Sequence, residues 1–234
     1  LSEPNLQQQL VEIGYQGKKL EELEGLSATE KANMLFIVQD PYTSYYDAKV
    51  VRDFVALTQK LGFSPIILPF KPNGKAMHIK GFLARFSKTA KTQAEFLNRV
   101  AKLNVPLVGV DPAIVLSYRD EYKEALGDSR GDFHVLTAHE WLTNQLESNT
   151  LQSAVKNIAK SDRTFEWHLF PHCAESTFMP NSPKEWQHIF AQFGQTLNVE
   201  KVGCCGMAGV FGHEVQNQTM SKDIYDVSWG KKLQ

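Results

Sequence analysis

Three cysteines, Cys173, Cys204 and Cys205, occur in a chain of 234 residues, and two of them are adjacent in "KVGCCGMAGVFGHE", Lys201 to Glu214. An odd and small number of cysteines does not make the disulfide framework of a secreted domain. A disulfide between neighbours closes a small strained ring, so Cys204 and Cys205 read as thiolates. Buried bystanders are the plain alternative, because free cysteine is among the most buried residue types. If the sulfurs act together, they suit zinc or an iron–sulfur cluster. Structural zinc takes its ligand pairs from positions two to four residues apart, so an adjacent pair leans toward iron. A nucleophilic cysteine is the third reading; it needs a base, which His172 or His213 would supply, although sequence neighbours often point apart.

The surrounding residues admit the same choice. His172 and His213 could ligate a metal or hydrogen-bond a sulfur, with Glu175 and Glu214 holding the imidazoles from behind. A backbone-held histidine at a strand end or a helix start is the plain alternative. His78, His134, His139, His168 and His188 are assigned to surface or core. Gly203, Gly206, Gly209 and Gly212 would let the backbone pass close to a bulky inorganic centre, where a Cβ would collide. No lysine follows "GMAGVFG" at the P-loop position, so phosphate binding there is not supported.

Elements that would gather these residues are legible as strands alternating with helices. "MLFIV", 34–38, is a short apolar run of the kind buried on both faces of a sheet. A helix follows with Ala48, Val51, Phe54, Val55 and Leu61 on one face, ended by Gly62. "SPIILPF", the helix in "TQAEFLNRVAKL" and the strand in "VPLVGV" complete a first unit. In the second half, Thr137 and Glu140 form a capping box for a helix over 138–147, and "LQSAVKNIAK" is helical. "FEWHLF", 165–170, is a strand. "NSPKEWQHIFAQFG" reads as a helix capped by Ser182, with Pro183 at its first position and Glu185 closing the box. Its buried stripe is Trp186, Ile189, Phe190 and Phe193, and Gly194 ends it. A strand in "VEKVG" and a helix just after the glycines finish the chain. Ligands of open parallel sheets gather beyond the carboxyl ends of the strands, so three thiolates would converge there, facing the positive end of that last helix.

The halves repeat. Asp40 falls opposite Cys173 at an offset of 133, and Pro72, Asn73 and Gly74 fall opposite Cys204, Cys205 and Gly206 at 132. The fold class expected is α/β, two pseudo-repeated Rossmann-like βαβ units with parallel sheets. Residues 1–30 form a helical lead-in from an upstream module, with Ser27 and Glu30 as a capping box. Residues 31–150 are the first unit and 151–234 the second. The first unit has a third strand end near Asp111 and Ile114, whose counterpart falls beyond Gln234. With Leu in place of Met at the start, the chain is expected to be a fragment.

Charge excludes some partners. The 25 basic and 26 acidic residues are spread along the length for a net charge of −1, so no basic stripe argues for nucleic acid. No apolar run is long enough to span a membrane and the first residues are too polar for a signal peptide. A soluble, cytoplasmic protein is expected.

"FPHCAES" followed by "GCCGMAGVFGHE" resembles the cysteine-rich CCG domain of the heterodisulfide reductase B subunit and of the iron–sulfur subunits of glycolate oxidase and anaerobic glycerol-3-phosphate dehydrogenase. In that family a Cys, a CCG and a CxxC follow one another at similar gaps, often twice. The likeness spans about 34–234, and its distinctive part is 169–214. With "MSKDIYDVSW", the stretch looks like the C-terminal portion of large bacterial FAD-linked oxidoreductases of D-2-hydroxy acids, such as D-lactate or D-2-hydroxyglutarate. The resemblance implies that Cys173, Cys204 and Cys205 bind a [4Fe–4S] cluster, or part of one. That cluster would carry electrons from reduced flavin to an acceptor, with quinone, reached from the inner-membrane surface, among the candidates. FAD and a ferredoxin-like module would lie elsewhere in the same polypeptide, and this chain would supply no catalytic residue. Two departures stand out. The first unit is a degenerate CCG-like unit with Asp40, Pro72, Asn73, Asp111 and Ile114 where ligands would stand, so it is expected to be structural. The second lacks the CxxC, which leaves a metal-free or zinc-holding fragment, or a zinc-stabilised docking module, as alternatives.

Overall fold

The computed structural model describes residues 1–148, 151, 155 and 165–233. A four-stranded parallel sheet, in the order β2-β1-β3-β4, is built from β1 (Met34–Val38), β2 (Ser64–Ile67), β3 (Leu107–Gly109) and β4 (Val135–Thr137). A second, two-stranded parallel sheet pairs β5 (Glu166–Leu169) with β6 (Thr196–Val199). The helices before β4 are α1 (Leu6–Glu12), α2 (Ala28–Lys31), α3 (Ala48–Lys60), α4 (Lys75–Ile79), α5 (Leu83–Ala101), α6 (Pro112–Arg119) and α7 (Glu121–Leu126). After it come α8 (Ala138–Glu147), α9 (Cys173–Phe178), α10 (Ser182–Gln192) and α11 (Gln218–Val227). The α/β class with parallel sheets is thus as expected from the sequence.

Sheet alternation explains why "MLFIV" is apolar throughout. Met34, Phe36 and Val38 point into one buried cluster, with α5, α6 and α7, and Leu35 and Ile37 into another, with α1, α3 and α8. Leu35, Phe36 and Ile37 are fully buried, each contributing about 1.5–3 kcal/mol relative to exposure. The lead-in joins these cores through Leu6, Leu10 and Leu23, although "KKLEELEGLS" is only a short 3-10 turn over Leu20–Leu23. The boxes at Ser27 with Glu30 and at Thr137 with Glu140 are both formed. The helix read in "LQSAVKNIAK" lies almost wholly outside the described residues.

The repeat is visible in the strand register. Met34 pairs with Ser64, and Glu166 with Thr196, each 132 residues further on; Leu68 N–H donates to the Ile37 carbonyl at 3.0 Å, and Glu200 N–H to that of Leu169 at 2.9 Å. Gly74 and Gly206, another such pair, both have positive φ, 80° and 87°. This strict count sets His172, not Cys173, against Asp40.

Three local expectations fail. Asn181, not Ser182, precedes the first turn of α10, and no side chain caps it, because the Ser182 hydroxyl is drawn away to donate to Glu175. Of the stripe on α10 only Ile189 is buried; Trp186, Phe190 and Phe193 are half-exposed. Nor does a helix start just after the glycines. Positive φ at Gly206, Ala208 and Gly209 breaks the chain into turns, two 3-10 turns follow at Phe211–His213 and Val215–Asn217, and α11 begins only at Gln218.

Candidate thiol site at the strand ends

β5 and β6 run parallel, and both cysteine-bearing segments leave from their carboxyl ends. Beyond β5, Phe170 and Pro171 lead to His172, which has extended backbone and gives no side-chain cap, and Cys173 is the first residue of α9. Beyond β6 the chain runs to Gly203, whose N–H donates to the Ser228 hydroxyl at 2.6 Å and whose carbonyl accepts from Trp229 Nε1 at 3.1 Å. The Trp229 ring also packs on Phe170, with centroids 4.9 Å apart. One indole therefore touches the approaches to both cysteine segments, and nothing in the spacing of "DVSWGKK" announced it.

All three cysteines are free thiols, Cys173 and Cys204 exposed and Cys205 half-buried. The Gly206 amide donates to Cys204 Sγ at 3.4 Å. The sheet thus sets two thiol segments side by side. It does not complete a ligand set: among the described residues no three His, Cys, Asp or Glu side chains are gathered closely enough to hold a metal ion.

The glycines meet protein. A Cβ on Gly206 would lie 2.2 Å from the Ser221 carbonyl oxygen, and one on Gly212 would lie 2.6 Å from the Ser221 hydroxyl. On Gly209 it would meet Ile79 Cδ1 at 2.7 Å, whereas Gly203 has only the Ser228 hydroxyl, at 3.3 Å. The loop is pressed onto α11 and α4, so the close approach that requires glycine is to helices.

The carboxylates expected behind the histidines are engaged elsewhere. Glu175 is buried and accepts from the Ser182 hydroxyl and, at 3.2 Å, from Trp186 Nε1. His139, 1% exposed, has Nδ1 3.2 Å from Glu175 and 3.0 Å from the Thr137 hydroxyl; its Nε2 is 3.2 Å from Glu185 but misaligned for a hydrogen bond. Glu175 therefore pins α9 to α8 and α10 and does not orient His172. Glu214 pairs with Lys80 and accepts from Asn217 Nδ2 at 3.0 Å, leaving His213 to stack, tilted, 5.5 Å from Tyr42. His213 itself lies in a 3-10 turn and not at a helix start. Tyr42 also donates from its hydroxyl to the Gly209 carbonyl at 3.3 Å, so the first unit holds the loop from the far side.

Where the first unit has acids at the matching strand ends, they bind backbone. Asp111 accepts from the Ala113 and Ile114 amides at 2.7 and 3.3 Å and so caps α6. Asp40 accepts from the Thr43 amide at 2.9 Å and from its hydroxyl. Burial pushes the Asp40 carboxyl above its ordinary range; the Thr43 hydrogen bonds oppose this and the Asp111 charge adds to it. No described helix is long and apolar enough to cross a membrane.

Comparison with known proteins gives a consistent set of relatives. The chain is similar to D-2-hydroxyglutarate dehydrogenases. It is 81% identical over 233 residues to one from Haemophilus influenzae and 55% identical over 234 residues to one from Escherichia coli, covering 100% of this chain each time. A third, from Pseudomonas putida, is 36% identical over 211 residues. The chain spans only 20–23% of the length of these relatives. No family model matches it, that of a CCG domain included, and no solved structure matches it significantly.

Proposed function

We propose that the chain is the iron–sulfur, electron-carrying part of an FAD-dependent D-2-hydroxy-acid dehydrogenase, of the D-lactate or D-2-hydroxyglutarate type. Cys173, Cys204 and Cys205 are the ligands on this reading. The observation that carries it is the pair of adjacent parallel strands whose carboxyl ends both lead into free, accessible thiols. Its similarity to D-2-hydroxyglutarate dehydrogenases supports the substrate class. The donor set fits a cluster in kind: soft sulfurs, one of them accepting a backbone amide hydrogen bond, with the fourth position of a four-ligand set left to another donor. When bound, such a cluster accepts and releases single electrons. The residues of this chain would hold it and keep it at the surface, where a flavin or ferredoxin-like module of the same polypeptide could approach. Oxidation of the hydroxy acid belongs to the flavin module.

The test uses the full-length protein, purified anaerobically. Cys173→Ser, Cys204→Ser and Cys205→Ser should each lower bound iron by about four atoms per chain and remove one reduced-cluster signal in electron paramagnetic resonance. Reduction of FAD by the hydroxy acid should persist, while transfer to the acceptor falls. Unchanged iron in all three variants, or zinc in place of iron in the parent, overturns the proposal.

A further inference from the structure

β1 and β5 are repeat mates with unequal surroundings. β1 lies between β2 and β3, with Phe36, Ile37 and Val38 paired to Leu107, Val108 and Gly109, and all its residues are buried. β5 has β6 on one side and no described strand on the other. Its Glu166, Trp167 and His168 are exposed, Trp167 by 47%, and Phe165 just before it by 53%. The shared register says which groups face the open side. The Phe36 N–H donates away from β2, to the Pro106 carbonyl at 2.8 Å, and its counterpart 132 residues on is the N–H of His168. A free edge is normally blunted by proline, lysine or a bulge, and β2, at the rim of the larger sheet, carries Pro65. β5 has no such device and carries Trp167 instead.

The element that follows β6 says what covers this edge. A parallel strand must be delivered by a crossover, usually helical, and in the first unit the crossover from β2 to β3 runs through α5. α11 occupies the equivalent stretch after β6, packed on the cysteine loop as α5 packs on Gly74. We propose that β5 is an interior strand of the complete protein, and that its open edge takes a third parallel strand from the same polypeptide, following α11. Its register is that of β3 on β1, with its first three residues against His168, Leu169 and Phe170. The relatives are several times longer than the stretch they share with this chain, so they hold further polypeptide outside it. This inference rests on the repeat alone and stands whether or not the thiols bind metal.

Amide hydrogen exchange on the full-length protein tests it. Residues 165–170 should exchange as slowly as 34–38, roughly 100-fold or more below the rate of a solvated edge. His168→Pro removes the outward N–H, which an open edge tolerates and an interior strand does not, so it should abolish that protection and lower the melting temperature. Fast exchange at 165–170 in the parent overturns the proposal, as does protection that appears only with rising protein concentration, the mark of a second copy on the edge. If His168→Pro fails to fold, exchange in the parent still decides.

Discussion

Asp40 is 2% exposed, and the fold holds its proton more tightly than the unfolded chain does, because burial outweighs the two Thr43 hydrogen bonds and the nearby Asp111 charge works in the same direction as burial. A carboxyl raised in the folded state subtracts stability as it ionises: nothing is lost well below its ordinary value of 3.8, and the loss grows as the pH climbs from there through the higher folded value. Asparagine keeps an acceptor for the Thr43 amide and carries no charge. Asp40→Asn should therefore melt above the parent at pH 7, by roughly 2–4 °C, and the gain should shrink to nothing as the pH is lowered toward 3. A gain that is constant with pH, measured by thermal melts across that range, would show that the carboxyl is not buried at a cost.

At the scale of elements, the cysteine loop is fixed by what it lies on. Gly206 combines a φ of 87° with a carbonyl of α11 where its Cβ would go, so Gly206→Ala must both strain the backbone and push the loop off the helix. The two effects together cost about 2–4 kcal/mol. Gly203→Ala meets only a serine hydroxyl at 3.3 Å and should cost less than about 1 kcal/mol. Denaturant melts of both variants check the contrast, and equal losses would mean that the loop is not seated on α11. This contact also marks a limit of sequence reading. Strong periodic elements were legible: β1, α3 and α8 stand where apolar spacing and capping boxes put them. β4 was missed, because its three residues read only as the lead into a helix cap, and α10 lost its expected cap because a distant residue, Glu175, competes for the Ser182 hydroxyl. The thiol-bearing strand ends were legible from residue types and order. Trp229, Ser221, Tyr42 and His139, which seat those segments, act through contacts distant in sequence and left no local pattern.

The molecule as a whole is lopsided in its core. Two buried apolar clusters sandwich the larger sheet, whereas among the described residues from 165 onward only Ile189 and Leu197 are buried apolar side chains. Burying such a side chain contributes about 1.5–3 kcal/mol, and some tens of kcal/mol separate the two units on that count before the larger ordering entropy of the first is set against it. Beside the packing of Ile189, Trp186 and Phe193 on the cluster behind α8, the ties between the units are polar: Glu175 with His139, Tyr42 with Gly209, and Lys80 with Glu214, the last partly exposed and worth under about 1 kcal/mol. A unit so poorly cored opens without unfolding its neighbour. In the chain of residues 1–234, native-state exchange under mild urea should give β5 and β6 amides a lower opening free energy than those of β1 and β3, in a separate step. One common opening for both sheets would show that these ties make them a single cooperative body. The separate step is the expected behaviour of a unit that relies on a third strand against β5, and on ligated thiols, for the stability that its own side chains do not provide.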